Sequence, residues 1–468
     1  MSKKFYITTT LPYVNAEPHI GFALEIVQAD VVARYHKLLD EEVVFNTGTD
    51  EHGLKIYRKA LEQNKDPQKY CDEYAKKFNA LKTALNLSYT NFIRTTDKNH
   101  IEAAQEFWKR CLKNGDIYKK NYKIKYCVGC ELEKTESELV EGKCPIHPNR
   151  DLDIIEEENY FFRFSKYQDK LLELYDKNPE FVLPEGKLNE IKKFVEGGLE
   201  DFSISRLKAK MPWGIDVPDD PTQVMYVWFD ALINYISTLG WPGTIENFKN
   251  FWPGVQVAGK DNLRQQSAMW QAMLFSAGID NSKQIFIHGF LTLDGQKISK
   301  SLGNTINPVE LADKYGAETV RYYLLSKIHP WEDSDFTIKK FEESYNFDLA
   351  NGLGNLTARV AKLAERAGIG GIKPKAYEIS KNIESFRFDE ALKTIWAEIS
   401  EIDRKVEETK PWMLDGEELT ATIKPMVEKI LKIAVALQPF LPETSEKIIK
   451  QLKAEKIAAS SPMFPRIK

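Results

Sequence analysis

A strand, helix, strand alternation occurs twice in this chain, and the two occurrences stand about two hundred residues apart. The first runs through "KKFYITTTL", rich in aromatic and β-branched residues, and "ALEIVQADVVARYHKLL", where Leu24, Val27, Val31, Tyr35, Leu38 and Leu39 recur at helical spacing, into "EVVFNTG". The second runs through "GVQVAG", the helical "NLRQQSAMWQAMLFSAG" and "QIFIHGF". Each predicts a right-handed βαβ unit with parallel strands. Together they predict an α/β fold, one doubly wound, Rossmann-like parallel sheet with a long insertion, whose ligands sit at the carboxyl ends of the strands. The stretches "PHIGF" and "KISKS" both fall at that edge.

At 468 residues the chain exceeds what one core supports, so two to four packed units are expected. Beyond about Phe341 strand signals stop, and patterns such as "DEALKTIWAEISEIDRKVEETK" and "MVEKILKIAVALQPF" predict a C-terminal α-helical bundle. A net charge of −4 excludes a protein that coats nucleic acid through its whole-surface field, while leaving room for a local basic groove. The amino terminus lacks the apolar stretch of a signal peptide, and no uncharged apolar run is long enough to cross a bilayer. A cytoplasmic enzyme with no membrane partner is expected.

Five cysteines do not make a disulfide framework in so long a chain. Cys127, Cys130, Cys144 and His147 are spaced as two x2 pairs, which can present three thiolates and one imidazole to a tetrahedral Zn2+. Four filled positions leave no room for a reactive water, so one structural zinc is expected. Cys71 and Cys111 have no partner motif and read as core or surface thiols.

His19 and Gly21 precede the expected helix at Ala23, where a helix N-terminus favours an anion and an imidazole can donate to phosphate. A structural histidine would look the same. Lys297 and Lys300, in a Gly-flanked loop, are mobile cations suited to a polyphosphate whose charge redistributes, although a solvated basic turn shares that composition. Finding both motifs at strand ends in opposite halves of one sheet favours phosphate chemistry.

These two motifs resemble the HIGH and KMSKS signatures of class I aminoacyl-tRNA synthetases. "TLPYVNAEPHIG", "NTGTDEHG", the Cys/His knuckle, "DFSISR", "VWFDALINY", "AGKDNLRQQ", "HGFLTLDGQKISKS", "NGLGNLTAR" and "KPWML" are similar, in order, to the methionyl-tRNA synthetase family. The resemblance implies ATP-dependent activation of L-methionine to an adenylate, with Mg2+ accompanying ATP. It further implies transfer of the methionyl group to tRNA(Met), the initiator included, by a monomer. It divides the chain into a catalytic domain at 1–115 and 206–295, a connective insertion with the zinc knuckle at 116–205, a KISKS and stem-contact region at 296–345, and an anticodon-binding helical domain at 346–468.

By the same resemblance, His19, Gly21, Lys297, Lys300 and Arg206 handle ATP and the reaction centre, and Gly259, Asp261 and His288 lie on the adenosine side. Asp50 takes the methionine ammonium. Leu11, Tyr13, Trp228, Ala231, Leu232, Tyr235, Asn262 and Gln266 form the methionine pocket, the last two standing where some relatives carry an apolar residue and a histidine. Asn355, Arg359 and Trp412 match anticodon readers, residue types that stack on and hydrogen-bond to unpaired bases. Phe22 departs from the family, which usually has a second histidine or another polar residue there, and His52 is a candidate substitute. The rival readings are a cysteinyl-tRNA synthetase, in which zinc would grip the substrate thiol, a nucleotidylyltransferase, which needs no helical bundle, and an RNA-binding protein without catalysis.

Overall fold

A computed structural model describes residues 3–130, 132–134, 138–297 and 305–467. Its centre is a six-stranded parallel sheet. Strand β1 (Lys4–Thr9) leads into helix α1 (Ile20–Leu38), strand β2 (Glu42–Thr49) and strand β3 (Asn91–Arg94). On the other side of β1 lie the strands Val255–Gly259 and Gln284–His288, and then Val182–Leu183. Ile7 pairs with Val255 and Val257 with Phe286, all in parallel. The order runs outward from β1 in one direction and from Val255–Gly259 in the other, so the switch point falls between these two strands. From Phe5 onward β1 is buried, as expected for a strand covered on both faces.

The second crossover helix is less regular than its sequence predicts. A 3₁₀ turn at Lys260–Asn262 and a π turn at Gln265–Met269 precede the helix Trp270–Ala277, which closes on Gly278 at φ +66°. The Gln271 side-chain amide donates to the Gln266 carbonyl at 2.8 Å, and a side chain inserted into the helical ladder widens it.

Between the two halves, the antiparallel strands Ile117–Cys127 and Asp153–Phe162 are joined by Leu132–Lys134 and Phe202–Ser203 into a second sheet. Val182–Leu183, also from this interval, returns to the central sheet beside Gln284–His288. The carboxyl-terminal part packs the helices Asn355–Arg366, Phe388–Thr409, Gly416–Leu437 and Pro442–Leu452. No helix among the described residues is long and apolar enough to cross a membrane.

The helical domain and the sheet share one core, which includes the stacked rings of Phe286 and Phe386 at 4.1 Å. Inside it lies Arg321, fully buried on the helix Ala317–Ser326. It pairs with Asp30 of α1 at 2.7 Å and donates to the carbonyls of Phe440, Pro439 and Leu85. Burial pushes the Asp30 carboxyl up, and Arg321 and Arg34 overcome it, leaving it below the usual carboxylate range.

Arg321→Met removes one of the two cations on the buried Asp30 carboxylate, which keeps Arg34 and the Ser88 N–H, and strands three carbonyls, and should cost about 3 kcal/mol. A carboxyl held low stabilises the fold above its unfolded pKa of about 4 and loses that contribution as pH falls through the folded value. The apparent Tm of the variant should therefore fall well below that of the parent at neutral pH, with the gap narrowing in acid. A gap independent of pH would contradict this account.

Candidate active site and metal cluster

The switch-point crevice is bounded by the amino end of α1. His19 caps this helix with extended backbone angles, and its Nδ1 accepts from the Gly21 N–H at 3.1 Å. That bond places the ring proton on Nε2 in the neutral tautomer. α1 starts at Ile20, earlier than its apolar pattern suggests, because the imidazole supplies the cap.

The backbone N–H groups of this turn are already engaged. Ile20 donates to the Ile306 carbonyl at 3.0 Å, and Phe22 and Ala23 donate to His19. The Ile306 contact also brings the chain leaving "KISKS" directly onto the start of α1. Lys297 ends the hairpin Leu291–Leu293/Gln296–Lys297, which is tied to Ser334–Phe336. Lys300 lies outside the described residues.

Phe22 packs edge-on against Phe78 at 5.5 Å, so its ring serves the core beside α1. His52, the candidate substitute, instead commits its Nδ1 to Asp230 at 2.7 Å.

Glu25 lies 4% exposed on α1. Its Oε1 accepts from the Thr10 N–H at 2.8 Å and hydroxyl at 2.5 Å, and its Oε2 faces His288 Nε2 at 3.0 Å. His288 Nδ1 donates to the Gly289 carbonyl. Burial pulls the His288 ring down, and the Glu25 contact more than offsets it, raising the imidazole above its usual pKa. Gly259 is the parallel neighbour of His288, and a Cβ there would stand 2.9 Å from Asp261 Oδ1. Gly259, Asp261 and His288 are thus brought together, and the backbone at Gly259 stays open to close approach.

A second group of the expected residues lies around the carboxyl ends of β1 and β2. The Asp50 N–H donates to the Pro12 carbonyl, and the Val14 N–H donates to the Asp50 carbonyl, pinning the Tyr13 segment to the end of β2. Leu11 at the end of β1 is half-buried. Ala231, Leu232 and Tyr235 are buried and Trp228 is half-buried, around the short helices Val227–Ala231 and Asn234–Ser237. Gln266 Nε2 donates to the Tyr235 hydroxyl at 2.7 Å, and Gln256 donates to Gln266 Oε1 at 3.3 Å. The Tyr235 oxygen accepts, so its own O–H is available to a weak acceptor. Asn262 Nδ2 donates to Asp261 Oδ1 at 3.2 Å.

Arg206 is buried on the strand Ser205–Leu207, hydrogen-bonded to the Ser203 hydroxyl and the Ser205 carbonyl, both at 2.7 Å. Its guanidinium lies over Tyr226 at 4.2 Å and Tyr126 at 5.4 Å. Tyr126 immediately precedes Cys127, so the metal cluster adjoins this cation.

The ligand atoms of Cys127, Cys130, Cys144 and His147 all lie within 4.8 Å of one another. His147 Nδ1 is 3.2 Å from Cys130 Sγ and 3.7 Å from Cys127 Sγ, and the Cys130 and Cys144 sulfurs are 3.5 Å apart. Metal bonds of about 2.0–2.3 Å set tetrahedral ligand edges of about 3.3–3.8 Å, so the residues fit a single tetrahedral ion. Gly129 is required here, because a Cβ would stand 2.7 Å from the His147 ring. Cys71 and Cys111 are buried core thiols.

In the helical domain, Asn355 and Arg359 stand four residues apart on one helix, Asn355 exposed and Arg359 paired with Asp403 at 3.1 Å and with Glu407. Trp412, 44% exposed, sits in a turn whose Pro411, Trp412 and Leu414 carbonyls accept from Arg366 at the end of that helix. One helix therefore organises all three residues.

Glu25 and Asp230 escaped the sequence reading. Their one signal is a carboxylate set in an apolar stretch, "FALEIV" and "VWFDALI".

A parallel sheet with a histidine-capped helix at its switch point is the architecture of a class I tRNA synthetase, and the family described as tRNA synthetases class I (M) matches residues 5–153 and 148–361. The methionine–tRNA ligase of Thermotoga maritima is 42% identical over 97% of this chain and 76% of its own length. That of Thermosynechococcus vestitus is 42% identical over 97% of the chain and 90% of its own. A structure of Mycobacterium tuberculosis methionyl-tRNA synthetase in complex with methionyl-adenylate superposes with a TM-score of 0.92 at 35% identity, covering 99% of this chain and 100% of that one. The chain belongs to the methionyl-tRNA synthetase family.

If the His19 Nε2–H is the phosphate donor, His19→Ala should lower kcat for activation by about 10²–10³. Phe22→Leu, which keeps an apolar contact, should leave kcat within about twofold and lower stability by about 0.5–1.5 kcal/mol through the lost ring pair. Steady-state kinetics with a thermal melt separate the two effects, and a kcat loss at Phe22 matching that at His19 would place Phe22 in the chemistry.

Proposed function

We propose that this chain ligates L-methionine to tRNA(Met), the initiator included. It activates the amino acid with ATP to methionyl-adenylate, releases pyrophosphate, and passes the methionyl group to the 3′ end of the tRNA. The observation that carries this reading is the 3.0 Å bond from Ile20 to Ile306, which holds the segment that begins at residue 305 against the histidine-capped start of α1.

The substrate carboxylate is the nucleophile at the α-phosphorus, and the phosphoanhydride bond to pyrophosphate breaks. No protein nucleophile is required, so the chain contributes position and charge. Asp50 receives the ammonium. Tyr13, Trp228, Ala231, Leu232 and Leu11 enclose the thioether, toward which Tyr235, its oxygen occupied by Gln266, aims its hydroxyl proton. His19 Nε2, Lys297 and Lys300 meet the phosphates, and Arg206 faces the charge that develops at the reaction centre. Gly259, Asp261 and His288 hold the adenosine, with Asn262 reaching the pocket through Asp261.

Mg2+ accompanies ATP. The Cys/His cluster is proposed to hold one structural Zn2+, since its closed ligand set leaves no open position. Asn355, Arg359 and Trp412 are proposed to read the anticodon, for which Arg359 exchanges its carboxylate partners for RNA. The proposed setting is the cytoplasm, as a monomer.

Methionine-dependent ATP–pyrophosphate exchange tests the reading. Exchange should appear with methionine and not with cysteine, isoleucine or leucine, and Lys297→Ala should slow it by about 10²–10³. Exchange with cysteine would favour the rival substrate. Elemental analysis should return one zinc per chain, and Cys130→Ser should release it. Pure active protein without metal would remove the zinc assignment.

A further inference from the structure

Asp230 is fully buried on the short helix Val227–Ala231, two residues after Trp228 and immediately before Ala231. Its two oxygens are spent on two different histidines. Oδ2 accepts from His52 Nδ1 at 2.7 Å, and Oδ1 accepts from His100 Nε2 at 2.8 Å. His100 Nδ1 in turn lies 3.0 Å from the Ser237 hydroxyl. One carboxylate thereby joins the loop after β2, the helix Lys98–Lys113 after β3, and the helix that carries the pocket wall. Burial pushes the carboxyl up, but His52 and His100 hold it below its ordinary range, so it is ionised.

The placement of His52 gives this contact its direction. Asp50 lies two residues earlier, and Glu51 between them is clamped by Arg94 at 2.6 and 2.9 Å and by the Trp213 indole, which donates to its carbonyl at 2.5 Å. The His52 ring also packs edge-on against Trp213. The Asp50 loop is therefore stiff within itself, and one side-chain link from it to the helix Val227–Ala231 is the His52 bond to Asp230. Asn46 makes a second link, to Asn234, further back along β2. An apolar pair would fill this space without desolvating a charge, so stability alone does not call for a carboxylate here.

We propose that Asp230 is a positioning residue for methionine, setting through His52 the distance between the Asp50 carboxylate and the Trp228–Ala231 wall. This rests on the reading above, in which Asp50 binds the ammonium and the wall binds the thioether. Two ends of one substrate must be matched at once, and a shift of about 1 Å costs up to 10²-fold in rate. ATP, held from the α1 side of the crevice, does not depend on that distance.

Methionine-dependent pyrophosphate exchange with Asp230→Asn, His52→Phe and the double variant tests the assignment. KM for methionine should rise about tenfold or more in each single variant, with KM for ATP within about twofold, and the double variant should lose no more than the worse single one. Equal changes in the two KM values, or an unchanged methionine KM in folded D230N, would overturn it. If D230N does not fold, H52F decides alone on the same two KM values. Asp50→Asn tests the underlying reading separately. If D50N leaves methionine KM unchanged, the site reading fails, whereas a loss in D50N without one in D230N and H52F removes only the role of Asp230.

Discussion

The parallel pairing of β1 with Val255–Gly259 is the constraint on which the rest depends. It joins the two halves of the sheet, and it creates the point where strand order reverses. Chain leaving β1 must turn away from chain leaving its neighbour, which opens a crevice between them. Into that opening the amino end of α1 delivers His19, and the adjacent strands deliver Gly259 and His288 side by side. Glu25 then closes the arrangement by linking α1, Thr10 and His288 through one carboxylate. These three polar groups persist at this depth because each has a partner, and the Glu25 contact with His288 joins opposite halves of the chain.

What surrounds the crevice transmits order toward it. Tyr126 and Tyr226 stack on either part of the Arg206 guanidinium, and Tyr126 is the chain neighbour of a metal-ligand cysteine. Tyr126, Tyr226 and Val227 form one small apolar cluster, against which Tyr13 and Trp228 pack. The Cys/His cluster therefore adjoins, through Tyr126, the apolar cluster against which Tyr13 and Trp228 pack. At the opposite end, Arg321 and Asp30 lock the helical domain to α1.

The doubly wound sheet built from two separated halves was legible in the sequence, because short apolar runs and helical periodicity are local signals, whereas the strand order was not. The metal cluster was legible for the same reason, its ligands lying within Cys127–His147. The start of α1 was not, since a side-chain cap carries no hydrophobic period. Nor was the π turn at Gln265–Met269, which depends on the Gln271 amide. Val182–Leu183 was read as part of the insertion because two residues are too few to show a period, and only pairing with Ile285 and Phe286 makes them a strand. Asp230 and Glu25 showed only as charges in apolar runs. Their partners, His52, His100 and His288, are fixed by long-range topology, which residue spacing does not encode.

The interval between the halves has a consequence for biosynthesis. Ile7 faces Val255 in the sheet, so a ribosome must add roughly 250 residues before β1 gains its second neighbour. At about 5–20 residues per second, that is a wait of roughly 12–50 s. β2 and β3 can settle on one side early, and the metal ligands emerge midway. The other edge of β1, with its backbone N–H and C=O groups unpaired, stays open throughout, on a strand whose Phe5, Tyr6 and Ile7 are buried in the finished fold. The insertion is thus also a delay, and the nascent chain carries an uncovered hydrophobic strand edge until it ends.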